Sequence, residues 1–251
     1  IPDKENLSRD MDLVDKYSLG FEYNDFFNPS LMDDDIKVNK LVDFYNDKNK
    51  GLYSTLHGCF FDVIPFSIDA KIKEVSVLRI EQSIDVAKRL GAKGIVFHTN
   101  YSSFFKAEAY IKTWIDTNTD FWENMLKKNS DINIYLENMF EETPDVIERL
   151  AQRLCNNENF GICLDYAHAA IGKVAPDEWA KRLGKYVRHI HINDNDFISD
   201  LHLAWGNGHI ERQKFYEAYD KYMDGASILV ENALYEDKLK SLEVLKSEGF
   251  I

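Results

Sequence analysis

Residues 132–165 read INIYLENMFEETPDVIERLAQRLCNNENFGICLD, and this stretch decides the fold. Two short runs rich in Ile, Leu, Tyr and Phe, 132–137 and 160–165, flank a segment of different period. There Val146, Ile147, Leu150, Ala151 and Leu154 recur at spacings of three and four, which predicts an amphipathic helix over 145–154. Thr143 and Pro144 supply N-cap and first-turn chemistry just before it. Strand, helix and strand in so short a span make a βαβ unit, whose two strands pair in parallel.

The same beat repeats in both directions. Further strands are read at 18–23, 52–57, 94–98, 187–191 and 227–231, mostly β-branched or apolar, as expected of strands covered on both faces. Between them, 74–90 carries the stripe Val77, Ile80, Ile84, Ala87 and Leu90, and Gly91 stands as its cap. Pro176 opens a helix through Trp179 and Leu183 that Gly184 closes, and a last helix covers 236–247. No linker or low-complexity segment divides residues 1–251, so one domain is expected. An α/β barrel of this kind, (β/α)8, typically runs to about 250 residues. Seven strands are visible where eight are wanted, and the chain opens on a helix, 2–16. The reading places a first strand upstream of Ile1, with a short strand inside 203–210 as its rival.

Composition narrows the classes. Of 251 residues 45% are hydrophobic and 29% charged, ordinary for a soluble enzyme, and the net charge of −13 disfavours broad nucleic-acid binding. No apolar run approaches the roughly 20 residues of a membrane span, and residues 1–16 are too polar for a secretory signal. Cys59, Cys155 and Cys163 lack metal-finger or disulfide spacing and are expected as buried free thiols, which makes a cytoplasmic location the default.

Six of the seven strands end in His57, His98, Glu137, Asp165, His191 and Glu231. With 43 acidic residues and 7 histidines in 251, a random strand end carries one about one time in five. In a parallel barrel all C-terminal strand ends meet on one face. Carboxylates buried together there need a cation, so the pattern reads as a divalent-metal site. His168 follows just past Asp165, and Asp200 and His202 form an Asp-x-His pair in a loop before Gly206 and Gly208. His189 shares a strand face with His191 and is expected to fill the barrel or support the ligands, and His209 to sit on a loop surface. Trp114, Trp122 and Trp179 fall in helical stripes and read as core. Trp205, beside His202, is expected near a substrate.

These residues resemble a known family, the xylose-isomerase-like TIM barrels, which include sugar phosphate isomerases/epimerases and the endonuclease-IV-type AP endonucleases (AP endonuclease family 2). The likeness lies in LHGCFFDVIP from Leu56, RLGAKGIVFHTNY from Arg89, IYLENMFEETP from Ile134 and GICLDYAHA from Gly161. It continues in HIHINDND from His189, DLHLAWGNGHI from Asp200 and ILVEN from Ile228. By this resemblance Glu137, Asp165, His191 and Glu231 look like the four-ligand metal site of the isomerase and epimerase branch. His57, His98, His168, Asp200 and His202 resemble the further ligands of the three-zinc cluster of the endonuclease branch. Leu201 departs from that branch, which typically has Arg there.

The resemblance implies a metal-dependent isomerase or epimerase of a sugar or sugar phosphate, in carbohydrate metabolism. Mn, Mg, Co or Zn would polarise a carbonyl, Glu137 and Glu231 would move the proton, and His168 would contact a substrate oxygen. Lys106, Lys173 and Arg212 are the candidates by position for gripping a phosphate. The alternative is a metal-dependent phosphodiesterase with a multinuclear zinc site; a third reading is a binding protein without a reaction. The expected partners are a small sugar and, by family habit, further copies of the chain, with no membrane or nucleic acid.

Overall fold

The computed structural model describes residues 1–49 and 51–251. Its strands are β1 (Phe21–Tyr23), β2 (Ser54–His57), β3 (Gly94–His98), β4 (Asn133–Glu137), β5 (Phe160–Asp165), β6 (Val187–Ile192) and β7 (Ser227–Val230). They pair in chain order, all parallel, as one seven-stranded sheet curled into a nearly closed α/β barrel. The helices around it are α1 (Leu7–Tyr17), α2 (Pro29–Met32), α3 (Asp35–Asn49), α4 (Ala70–Arg89), α5 (Glu108–Lys128), α6 (Asp145–Leu154), α7 (Tyr166–Ile171), α8 (Pro176–Leu183), α9 (Arg212–Ala218) and α10 (Tyr235–Ser247). No helix among the described residues is long and apolar enough to cross a membrane.

Local chemistry moves several boundaries from their sequence positions. The first strand shrinks to three residues because Ser18 caps α1 in a left-handed conformation, φ 57°, from which no strand can run. Helix α4 starts at Ala70, since the Asp69 carboxylate accepts from the N–H groups of Lys71 and Ile72. The rival placement, a short strand inside 203–210, does not form. Leu203 makes a single antiparallel bridge with Asp194, and the segment belongs to the loop after β6.

Alternation along the strands separates two environments. Ile95, Phe97, Ile134, Leu136, Ile162, Leu164, Ile190 and Ile192 all join the large apolar core. The opposite face of the same strands carries Val96, Tyr135 and Cys163, which form their own small cluster. Two residues further along that face come His98, Glu137 and Asp165, in step. Tyr135 stacks on His189 with ring centroids 5.7 Å apart, plugging the barrel below the strand ends. Gly94 makes this plug possible, because a Cβ there would lie 2.4 Å from the Tyr135 ring. Strand register then aligns His98 with Glu137 and Asp165 with His191 across neighbouring strands.

Candidate metal centre

The strand ends converge as the barrel requires. Glu137, Asp165 and His191 are fully buried and Glu231 nearly so. Nδ1 of His191 lies 3.4 Å from Oε1 of Glu137 and 3.6 Å from Oε2 of Glu231. Asp165, His191 and Glu231 each offer an atom within 4.8 Å of the others, as do Glu137, Asp165 and His168. The further residues join at the flanks. His57 and His98 place Nε2 at 3.2 and 3.4 Å from Oε2 of Glu137. His168 and His202 place Nε2 at 3.3 and 3.1 Å from Oδ2 of Asp200. All nine sequence-derived positions thus meet in four overlapping groups, with Glu137, Asp165 and His168 each shared between two.

Backbone contacts aim the imidazoles. Nδ1 of His168 lies 2.9 Å from the carbonyl of Asn138, and Nδ1 of His57 lies 3.1 Å from that of Gly58. A carbonyl can only accept, so Nδ1 of each ring carries a proton and Nε2 is the atom turned toward the carboxylates of the centre. Asn138 also ties β4 to β5: its amide donates to the carbonyl of Asp165 and accepts from the Asp165 N–H, both at 2.9 Å. Asp165 itself divides its carboxylate. Oδ1 accepts the His168 N–H at 2.6 Å and caps α7, while Oδ2 is left for the centre.

Fit to a divalent cation can be tested on atoms that lack partners. Oε1 of Glu137, Oδ2 of Asp165 and Nδ1 of His191 are buried without a hydrogen bond among the described residues. Such orphans are costly unless something occupies the space between them. Two or three carboxylates with imidazoles form a donor set that suits Zn²⁺, Mn²⁺ or Co²⁺. The residues fit the ion.

The charges are uneven. Burial pushes the Glu231 carboxyl up to about 7, against the pull of His191 and with the push of Asp165 and Glu137. Glu137 is equally buried, yet the imidazoles of His191 and His98 outweigh desolvation and hold it well below the usual range. Burial lowers His202, but the Asp200 carboxylate overrides it and raises the imidazole to about 9. In the metal-free protein one carboxyl of the pair thus protonates near neutrality while its neighbour stays ionised.

Two residues with structural consequence escape the sequence reading. Glu22, in the middle of β1, is buried with Oε1 3.1 Å from Nε2 of His191 and Oε2 3.1 Å from Nε2 of His189. Thr55 donates to the same Oε2 at 2.7 Å. The only signal was an acidic residue inside an apolar triplet. Asp194 organises the loop after β6, accepting from the N–H groups of Asn195, Gly206 and Ile210 at 2.9, 3.0 and 3.0 Å. Gly208 must be glycine there, since a Cβ would lie 2.3 Å from the Asn195 carbonyl oxygen.

Other expectations are corrected or placed. Trp205 does not face the centre. It is fully buried against Phe215, its indole N–H 3.1 Å from the Tyr216 hydroxyl, because the Asp194-centred turn folds the loop back onto α9. Cys155 is exposed rather than buried, at the C-terminal end of α6. His189 supports Glu22, and His209 lies on the loop surface against Phe197. Trp114, Trp122 and Trp179 are core. Lys106 and Lys173 are both engaged by Glu142, and Arg212 by Glu248.

Fold and centre together define an α/β barrel with a cluster of potential metal ligands at the C-terminal ends of its strands. The description "xylose isomerase-like TIM barrel" matches residues 17–247, and the chain belongs to that family. Among sequence relatives, the uncharacterized protein MJ1311 of Methanocaldococcus jannaschii is 27% identical over 202 residues, covering 76% of this chain and 68% of its own. Among solved structures, a D-tagatose 3-epimerase-like protein superposes with a TM-score of 0.78 at 24% identity, covering 97% of this chain and 93% of its own. The TTHB071 protein of Thermus thermophilus, soaked with ZnCl2, gives 0.78 at 20% identity, covering 99% and 96%. At these identities the likeness to the solved structures speaks for the fold.

Proposed function

We infer that the protein is a divalent-metal-dependent isomerase or epimerase of a sugar-type substrate. The observation that carries this is the pair Glu137 and Glu231, buried on either side of His191 Nδ1 with Asp165 beside them. Glu137, Asp165, His191 and Glu231 would hold the ion, which would supply Lewis acidity toward a carbonyl and its neighbouring hydroxyl. Glu137 and Glu231, the two carboxylates nearest His191 Nδ1, would pass the carbon-bound proton between them, one accepting and the other donating. Nε2 of His168 is positioned to contact a substrate oxygen. The D-tagatose 3-epimerase-like neighbour supports this class of reaction.

A second reading is favoured by one observation. His57, His98 and Glu137 form one compact group, and His168, Asp200 and His202 another, flanking the central one. Three ions so placed would suit phosphodiester hydrolysis, as in the endonuclease-IV-type relatives.

Elemental analysis of protein purified without chelator, followed by assays on ketose, aldose and phosphodiester panels, separates the two. One ion per chain and sugar interconversion that Glu231→Gln abolishes are the expected results. Three zinc ions with phosphodiester cleavage would replace the first reading by the second.

A further inference from the structure

The segments that surround the mouth of the barrel are residues 24–34, 58–69, 99–107, 138–144, 166–175, 193–211 and 231–234. They contain two lysines, Lys106 and Lys173, and no arginine. Both ammonium groups lie 2.8 Å from the same oxygen of Glu142, so the trio offers one net positive charge. Arg212 begins α9 just beyond this rim, and its guanidinium is held by Glu248 at 2.6 Å. A phosphate is normally gripped by several such donors free to turn toward it.

The surface beside the ligands is instead aromatic. Phe60 meets His57 edge-on with ring centroids 5.0 Å apart and lies 5.5 Å from His98. Phe27 stacks on Phe60 at 4.8 Å, and Phe61 extends this wall outward with 67% of its surface exposed. After β4, Phe140 approaches His168 at 5.6 Å and is 49% exposed. Open apolar surface of this kind marks a binding region. Here it is continuous with the imidazoles of the centre, so its occupant must itself reach the centre. A partner seated on the outer helices would leave these rings uncovered.

Resting on the sugar reading above, we propose that the substrate is a neutral carbohydrate, free of phosphate, that carries an apolar substituent. Its carbonyl end enters among Glu137, His191 and Glu231, and its substituent lies between the walls of Phe61 and Phe140. Rings in such contact are worth about one factor of ten in affinity.

The test is calorimetry on the metal-loaded protein with three ligands built on the best-binding ketohexose: the free sugar, its 6-O-benzyl ether and its 6-phosphate. The benzyl ether should bind about tenfold more tightly than the free sugar, and the phosphate no better than the free sugar. Phe61→Ser with Phe140→Ser should bring the benzyl ether down to the affinity of the free sugar for the same variant. A tighter 6-phosphate, or a benzyl ether no better than the free sugar, overturns the proposal and leaves the sugar reading intact. A dimeric wild type that Phe61→Ser turns into a monomer also overturns it, by assigning the rim to a second copy. Retained metal with no binding of any of the three ligands defeats the sugar reading itself and the proposal with it.

Discussion

Oε1 of Glu22 lies 3.1 Å from Nε2 of His191, a charge contact between two fully enclosed groups on β1 and β6. A lone pair on Nε2 would be repelled at that distance, so the contact holds a proton on Nε2 and turns Nδ1 toward Glu137 and Glu231. His189 fixes the carboxylate from its other oxygen and is itself fixed by Ser227 Oγ at 2.7 Å. Carboxylate–imidazole pairs of this sort orient metal ligands and raise their basicity.

Glu22→Gln should therefore weaken metal affinity by about 10- to 100-fold. Chelator competition with Zn²⁺ measures it, and nitrogen NMR of His191 in the metal-free protein should show the proton shared between both ring nitrogens. An unchanged affinity in a variant that still folds would rule out the positioning role.

The Glu231 carboxyl gives a pH-dependent stability whose sign is fixed. Its folded pKa, about 7, lies above the unfolded value of 4.5, so the folded state binds the proton more tightly. That contribution is fully present below about pH 4.5 and is lost as pH rises through 7. Metal-free Glu231→Gln should melt higher than the metal-free wild type at pH 8, by on the order of 2 kcal/mol, with the gap closing toward pH 5. Thermal melts across that range in EDTA decide it; a gap that widens at acid pH contradicts the assignment.

In the metal-free protein the Asp200–His202 pair adds a second window. His202 is raised to about 9, so its favourable contact with Asp200 is complete below about pH 6.5 and disappears as pH rises through 9. Hydrogen exchange of the loop after β6 should accelerate between these pH values beyond the intrinsic base catalysis. Asp200→Asn should flatten that excess, and equal profiles in both proteins would count against the pair.

Asp194→Ala removes the acceptor of three loop N–H groups at once. With net values of about 1 kcal/mol per buried bond, a loss of roughly 2–4 kcal/mol is expected. Limited proteolysis should cut first within residues 193–211. A variant as stable and as resistant as wild type would show that the loop is held by other contacts.

Trp205→Phe separates a core role from a substrate role. The lost bond to Tyr216 and the smaller ring should cost about 1–3 kcal/mol in urea unfolding. KM should stay within about twofold, and a large rise in KM with unchanged stability would return Trp205 to the substrate.

Most of the barrel was legible because a parallel strand buried on both faces is a short apolar run, and its C-terminal end is where a polar residue can stand. That logic finds Glu137, Asp165, His191 and Glu231 directly. It fails for Glu22, which sits mid-strand in a triplet too short to show alternation, and whose partner His189 lies 167 residues away on β6. It fails for Trp205 because adjacency to His202 says nothing of direction; the turn around Asp194 points consecutive side chains to opposite sides. The rival strand inside 203–210 is excluded on the same ground, since the apolar residues there pack inward from a loop.

The two oxygens of Asp165 serve different masters: one starts α7 and the other points into the centre. Whatever settles against the second oxygen stiffens the first, so the opening turn of α7 is a built-in gauge of loading. The amide of His168, seated on that cap, should change its chemical shift when the barrel fills, before any substrate is added. A single backbone resonance can thus follow the state of the whole pocket.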